Sequence, residues 1–120
     1  MADQIDKNER EKIWIAMSEV FVDNDIFYDE VVRALCIYPI CLLKRIFFDE
    51  VLPVCGKNLL SPVPSIWTGF EPASLVAEIR EMIRRKDQSI MSKIHYHATR
   101  TYYRLRLSYV WPDLEARLTL

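Results

Sequence analysis

Only two glycines, Gly56 and Gly69, occur among the 120 residues of this chain. Tight β-hairpins and phosphate-binding loops both depend on glycine, so a hairpin-rich fold and a Gly-rich nucleotide site are disfavoured. Apolar side chains recur every three or four residues instead, which is the spacing of one face of an α-helix. A chain of this length fits one domain with a real core. The sequence therefore predicts an all-α fold, with residues 1–120 forming a single helical bundle of about five helices.

A capping box predicts where the first helix begins. Asp6 has the side chain of a good N-cap, and Glu9 stands three residues later, as the reciprocal pattern requires. We expect this helix to end near Asp23. Its core face is a stripe of apolar residues, namely Ile13, Ala16, Met17, Val20 and Phe21.

Prolines mark the limits predicted for the next two helices. A short second helix is capped by Asp25 or Asp29 and stops around Tyr38, because a residue that precedes proline avoids helical geometry. The third helix, over residues 40–52, is apolar on too broad a face for the surface, which predicts the central buried helix. We expect Pro53 to bend or end this helix.

Proline, serine and glycine punctuate residues 56–71, which predicts a packed loop between the third and fourth helices. Glu71 and Pro72 then suit the N-cap and the first position of the fourth helix. Asp87 is the candidate cap of a fifth helix. The expected inward face of that helix comprises Met91, Ile94, Ala98, Tyr102, Leu105 and Tyr109. Because residues 99–110 include many aromatic and β-branched residues, a strand remains an alternative to a helix there.

Charge is divided between the two ends of the chain, although the formal total is only −1. Residues 1–30 contain nine acidic and three basic residues, whereas residues 80–106 contain eight basic and two acidic residues. Such asymmetry raises the local electrostatic potential and steers charged partners, so it indicates association rather than catalysis. Whether the two ends pair with each other in the fold decides which of them is left for a partner.

Residues that could support catalysis or metal binding form no recognisable set. Cys36, Cys41 and Cys55 have the spacing of no zinc module and are predicted to be buried free thiols, so neither a metal nor another cofactor is expected. Asp49 and Glu50 are neighbours on the central helix, and we expect one to pair with an arginine while the other meets solvent. The sequence therefore predicts a protein that is not an enzyme.

Four short segments carry a resemblance to a known family. They are Ser18–Asp23, Phe48–Pro53, Asn58–Ser61 and Trp67–Phe70, and the likeness extends over residues 12–85. Together they are similar to a family of small bacterial proteins described only as a domain of unknown function. The resemblance implies a bacterial source, an α-helical single domain and no known catalytic residues. Because small bacterial proteins of this kind are often immunity proteins against toxins, it also implies an immunity-protein-like role.

The leading hypothesis is that the acidic end covers a basic protein toxin. Toxins that act on nucleic acids expose cationic clefts, which carboxylates can occupy with fast, electrostatically steered association. The acids expected to bind such a toxin cluster at a predicted turn: Asp23, Asp25, Asp29 and Glu30. Charged residues interrupt residues 31–54 too often for a membrane span, and the acidic N-terminus does not resemble a signal peptide. We therefore expect a cytoplasmic protein with no membrane partner, whose oligomeric state the sequence leaves open.

Two alternatives remain. Arg100, Arg104 and Arg106 lie among tyrosines and could neutralise phosphates while the rings stack on bases, as in a small nucleic-acid-binding or regulatory module. The sequence pI of about 6.1 is low for such a domain, so nucleic acid is the less favoured partner. In the third hypothesis His95 and His97 serve an orphan enzyme, although residues two apart point to different sides of a helix.

Overall fold

Helices account for nearly all of residues 5–21, 28–60 and 71–119, which are the residues that the computed structural model describes. In chain order they are α1 (Lys7–Ser18), α2 (Tyr28–Leu35), α3 (Ile40–Ile46), α4 (Leu52–Leu60), α5 (Pro72–Lys86), α6 (Ile90–Leu107) and α7 (Val110–Leu118). A 3₁₀ turn at Glu19–Phe21 extends α1, and a π-helical turn at Phe47–Val51 joins α3 to α4. None of these described residues lies in a strand. The all-α prediction is confirmed, and residues 99–110 are not a strand.

Two predicted helix starts are confirmed by their caps. The Asp6 carboxylate accepts a hydrogen bond from the Glu9 backbone N–H at 2.7 Å, which satisfies one of the unpaired donors in the first turn of α1. The Glu71 carboxylate does the same for the Ser74 N–H at 2.6 Å. Pro72 lies in the first turn of α5, where its missing N–H costs nothing. These helix starts are therefore local properties of the sequence.

Two other predicted helix starts differ from the structure. Ser89 caps α6, and its hydroxyl accepts a hydrogen bond from the Ser92 N–H at 3.1 Å. Asp87 instead lies at the C-terminal end of α5, too early in the chain to reach the first turn of α6. Asp29 lies inside the first turn of α2, where a carboxylate favours the helix dipole, and Asp25 lies outside the described residues.

The helix that begins at residue 40 does not end at Pro53. It continues through the π-helical turn into α4, so that residues 40–60 form one uninterrupted helical segment, the central segment. In a regular α-helix the N–H of residue 53 donates to the carbonyl four residues earlier, that of Asp49, and proline has no N–H to donate. The Tyr96 hydroxyl of α6 donates to that carbonyl at 2.7 Å. A tertiary hydrogen bond thus replaces the missing helical one.

Gly56 lies inside α4, where the sequence predicts the start of a loop. Residues 56–60 continue the helix, and residues 61–70 of the predicted loop lie outside the described part of the chain. A Cβ atom at Gly56 would lie 2.9 Å from Cδ1 of Tyr103 and 3.3 Å from Cδ1 of Leu107. This glycine is therefore required by the close approach of α4 and α6, and not by a turn of the chain.

The central segment forms the middle of the core, as its broad apolar face predicts. Its most deeply buried residues are Leu42, Leu43, Ile46, Phe47, Val51, Leu52 and Cys55. Ile13, Trp14 and Met17 of α1 join the same cluster, as do Ile79 of α5 and Leu114 of α7. All of these side chains belong to one hydrophobic cluster, which is the arrangement of a single domain.

The helix α6 is rotated relative to its predicted orientation. The predicted inward face meets solvent instead, with Met91, Ile94, Ala98, Tyr102, Leu105 and Tyr109 all exposed. Tyr96 and Leu107 are the buried residues of this helix, and Tyr103 packs partly against the core. The prediction failed because apolar residues recur at helical spacing on two faces of α6, and spacing alone does not tell which face packs.

Candidate binding surfaces

The two oppositely charged ends of the chain meet between α1 and α5. The Arg80 guanidinium donates a hydrogen bond to the Glu11 carboxylate and lies 5.6 Å from the centroid of the Trp14 ring. Another acid of the N-terminal end, Glu9, accepts a hydrogen bond from the Tyr38 hydroxyl at 3.2 Å. The charge split is therefore neutralised only in part, and other charges remain at the surface.

The structure divides the four acids predicted to bind a partner. Asp29 and Glu30 are exposed in the first turn of α2. Within the described residues, no cation lies within salt-bridge distance of either carboxylate. Asp23 and Asp25 lie outside the described residues. Two of the four predicted acids thus present carboxylates to solvent with no cationic partner in the part of the chain that the structure describes.

A shallow depression of about 350 Å³ between α1 and α2 has carboxylates at its rim, and we refer to it as the acidic depression. Its apolar lining consists of Ile15, Ala16, Val31 and Ala34, and its charged rim consists of Lys12, Glu19 and Glu30. This volume lies at the lower end of the range of ligand pockets, about 300–1,000 Å³, and leaves room for one protruding side chain of a partner. Sequence reasoning missed Glu19, because only the packing of α1 on α2 brings it near Glu30.

Two arginines of the alternative nucleic-acid site are held against the central segment. Arg100 donates a hydrogen bond to the Asp49 carboxylate at 2.6 Å, and both groups are partly buried. The guanidinium of Arg104 lies 4.8 Å from the centroid of the Phe48 ring, which is a cation–π contact. Arg100 is thus already neutralised by an acid, whereas Arg104 keeps an exposed charge.

The third arginine of that site, Arg106, lies at the surface. It donates a hydrogen bond to the Tyr102 hydroxyl at 3.1 Å, and its guanidinium lies 5.7 Å from the centroid of the same ring. Both residues are exposed. This pair therefore stays accessible to a partner.

The solvent-facing side of α6 is apolar along its length, and we refer to it as the outer face. It consists of Ile90, Met91, Ile94, His97, Ala98, Thr101, Tyr102 and Leu105, which are all exposed and mostly apolar. Ile90 and Leu105 are each 77% exposed, and Ile94 is 58% exposed. Contiguous apolar patches of this kind mark interaction sites more often than bare surface. The signal that could have revealed this face is the second apolar row of α6. No helix in the described ranges is both long and apolar enough to span a membrane.

Both neighbouring carboxylates of the π-helical turn bind arginines. Asp49 accepts from Arg100, while Glu50 accepts from Arg10 at 2.5 Å and from the Trp14 indole N–H at 2.8 Å. The prediction that one of the two meets solvent is wrong, because α1 and α6 both pack against this turn. The two carboxylates therefore connect the surrounding helices to the central segment.

A cleft of about 630 Å³ lies between α4, α5 and α6. Pro53, Val54 and Met82 provide its apolar lining, and the Lys86 Nζ lies 5.1 Å from the centroid of the Tyr96 ring. Burial raises the pKa of Tyr96 to about 12. The Tyr96 hydroxyl therefore remains protonated, and able to donate its hydrogen bond, at neutral pH.

The histidines and cysteines do not converge. His95 lines the cleft between α5 and α6, whereas His97 lies on the outer face of α6. Cys55 is buried as predicted, but Cys36 and Cys41 are exposed, because they lie just after α2 and in the first turn of α3. Among the side chains that the structure describes, no three His, Cys, Asp or Glu groups are close enough to hold a metal ion.

Comparison with known proteins gives a family without an activity. Residues 8–117 match a family described as a domain of unknown function (DUF7079). The chain belongs to this family. No curated protein and no solved structure gives a significant match. Membership of DUF7079 confirms the resemblance at the level of an uncharacterised domain.

Proposed function

We propose that this DUF7079 protein is a small bacterial immunity protein, a non-enzymatic protein that neutralises a cognate toxin by binding to a basic surface of it. The observation that supports this proposal is the acidic depression, where Glu19 and Glu30 flank an apolar floor. Asp29 stands next to Glu30 and has no cationic partner among the described side chains. Exposed carboxylates around an apolar floor suit a protein partner with exposed lysine or arginine.

The acidic depression is suited to one long basic side chain of the toxin. The methylene stem of that side chain can pack on Ile15 and Val31 while its charged head reaches Glu19 or Glu30. Lys12 lies at the same rim and offsets part of the attraction. Surface carboxylates mainly raise the association rate, so binding should weaken as salt concentration increases.

Asp23 and Asp25 belong to the proposal by their position in the chain. They stand between Glu19 and Asp29 in the sequence and add to the negative potential of this stretch. Removing them should weaken toxin binding further.

Protection of cells from the toxin tests the proposal. The candidate toxin is a large secreted protein with a variable C-terminal domain encoded beside this gene, and co-expression of the chain should restore growth. The double variant Asp29→Asn/Glu30→Gln should protect less well. The matched control Asp87→Asn/Asp113→Asn removes two exposed acids elsewhere and should protect fully.

Two results would contradict the proposal. Failure of the unaltered chain to protect against the toxin would reject the immunity role. Full protection by Asp29→Asn/Glu30→Gln, even combined with Asp23→Asn and Asp25→Asn, would show that the toxin binds a different surface.

A second candidate function is nucleic-acid binding. It is favoured by Arg104 and Arg106, which are both exposed, and by the exposed ring of Tyr102 beside Arg106. Arg100 is expected to contribute less, because Asp49 already neutralises it. Binding of RNA or DNA that falls steeply with salt and is abolished by Arg104→Ala/Arg106→Ala would favour this function.

A further inference from the structure

The outer face of α6 is a second surface with the character of a binding site, and it is separate from the acidic depression. Four of its large apolar side chains are more than half exposed: Ile90, Met91, Ile94 and Leu105. The packing contacts of α6 are mainly with α4 and α5, whereas the acidic depression lies between α1 and α2. A partner bound to the outer face therefore uses a different surface from the one proposed to bind the toxin.

The outer face has the shape of a surface that packs against another helix. Two sets of four residues at positions i, i+3, i+4 and i+7 follow each other along it, and each set forms the corners of a hole for a side chain of a facing helix. The sets are Ile94, His97, Ala98 and Thr101, then Ala98, Thr101, Tyr102 and Leu105. These residues line a shallow surface depression, and Ala98, the smallest of them, belongs to both sets.

The borders of the outer face are cationic. Residues 88–112 contain no Asp or Glu, but they include Lys93, Arg104 and Arg106. Lys93 and Arg104 are about three helical turns apart and so share one border, while Arg106 lies on the other. A complementary partner therefore needs acidic residues on both sides of an apolar ridge.

A second copy of this chain does not meet that requirement. Any two-fold pairing of the outer face with itself sets cations such as Lys93 and Arg104 against cations of the other copy, and like charges in an interface are unfavourable. A lipid bilayer offers negative charge but no ridge that would fill the holes around Ala98. A helix with acidic residues on each side of an apolar ridge matches both the shape and the charge of the outer face.

We infer that the outer face of α6 binds an amphipathic helix of a partner protein, whose apolar ridge is flanked by Asp or Glu. This is recognition of a helix in a groove. Ile94 and Leu105 provide the apolar contact area, and Ala98 admits a large apolar side chain of the partner. Lys93 and Arg104 pair with the flanking carboxylates.

The probe for this inference is a synthetic, end-capped peptide of about three heptads, with leucine at positions a and d and glutamate at positions e and g. Glutamates on both borders repel one another and oppose self-assembly of the peptide. A peptide with lysine in place of every glutamate is the charge control. Binding to the full chain is followed by calorimetry and by the chemical shifts of the backbone amides.

We expect the glutamate peptide to bind, the lysine peptide not to bind, and the amide shifts to concentrate in residues 90–107. Leu105→Glu should weaken binding by at least about tenfold, as expected for the loss of one buried leucine contact. Ile37→Glu is the matched control, because Ile37 is 76% exposed and lies in the turn after α2. Lys93→Glu should weaken binding of the glutamate peptide and improve binding of the lysine peptide.

Four results would overturn the inference. The first two are the absence of saturable amide shifts with the glutamate peptide, and equal weakening of peptide binding by Leu105→Glu and Ile37→Glu. The third is binding of the chain to vesicles of equal parts phosphatidylcholine and phosphatidylglycerol without binding to the peptide. The fourth is a dimer, detected by sedimentation, that Leu105→Glu dissociates. Because Leu105 lies outside the acidic depression, Leu105→Glu should leave toxin protection intact, and the two proposals can fail independently.

Discussion

Replacing Tyr96 by phenylalanine tests how the central segment tolerates Pro53. The proline has no N–H for the carbonyl of Asp49, and the Tyr96 hydroxyl supplies a donor at 2.7 Å. Tyr96 is only 8% exposed, so little water can take the place of its hydroxyl. Tyr96→Phe therefore leaves a shielded carbonyl without this donor, while the ring keeps its packing.

The expected loss is about 1–3 kcal/mol of unfolding free energy, which is the usual cost of leaving a buried acceptor unsatisfied. In a domain of this size, each kcal/mol lowers Tm by about 4 °C. Urea denaturation measures the free energy, and an unchanged m-value shows that the unfolding transition is comparable. Tyr102→Phe is the matched control, because that exposed hydroxyl accepts from Arg106 at the surface, and it should change stability by less than about 0.5 kcal/mol.

A double-mutant cycle with Pro53→Ala separates the hydrogen bond from other effects of the hydroxyl. Alanine at position 53 provides an N–H for the carbonyl of Asp49, so Tyr96→Phe should cost less in that background. The expected coupling is about 1 kcal/mol. Equal costs of Tyr96→Phe in both backgrounds would refute the reasoning, because the hydroxyl would then not compensate for the proline.

Alkaline pH provides an independent check on the same hydroxyl. Burial raises the pKa of Tyr96 to about 12, above the ordinary value of 10.0. The fold thus favours the protonated hydroxyl, whose contribution to stability is complete below about pH 10 and is lost as the pH rises toward 12. Tyr96→Phe should lose less stability than the unaltered chain over this interval, and identical losses would contradict the assignment.

Three further substitutions test particular contacts. Gly56→Ala should lower the unfolding free energy by about 1–3 kcal/mol through the clash with Tyr103, although alanine usually stabilises a helix. A higher unfolding free energy in urea denaturation would contradict the close approach of α4 and α6. Glu50→Ala should cost about 1–3 kcal/mol by leaving the Trp14 indole N–H unpaired, and Glu50→Gln should cost less because an acceptor remains. Hydrogen bonds from two arginines lower the pKa of Glu81 from 4.5 to about 2, so its stabilisation is present above pH 4.5 and lost as the pH falls toward 2. Glu81→Gln should flatten that part of the stability profile, and an unchanged slope would count against the ion pairs.

Local sequence patterns predicted the elements whose cause is local. Asp6 and Glu71 each bond a backbone N–H three residues later, so their identity and spacing suffice to place the starts of α1 and α5. The broad apolar face of residues 40–52 likewise identifies the central segment, because a helix that is apolar on most sides must be buried. These predictions needed no knowledge of which helices pack together.

The continuation of the helix through Pro53 and the orientation of α6 involve a contact between distant parts of the chain. Tyr96 and Asp49 are 47 residues apart, and their hydrogen bond joins the inward side of α6 to the central segment next to Pro53. The opposite row of apolar residues, which includes Ile94 and Leu105, has the same helical spacing. Only the packing partner distinguishes the two rows, and a single sequence does not name that partner.

The surfaces left free for partners follow from which apolar faces are buried, rather than from the charge of each end. Burying the apolar side chains of Ile13 and Trp14 stabilises the fold by about 1.5–3 kcal/mol each, whereas a partly exposed ion pair such as Glu11–Arg80 contributes about 0–1 kcal/mol. Ion pairs therefore form where apolar packing happens to bring charges together. This is why the charge split of the sequence could not by itself locate a binding surface. Among the described residues, packing leaves Glu19, Asp29 and Glu30 without cationic partners on one side, and leaves Lys93, Arg104 and Arg106 around an apolar face on α6. The two remaining surfaces carry opposite charges and lie on different helices, so the two partners proposed for them do not compete for one site.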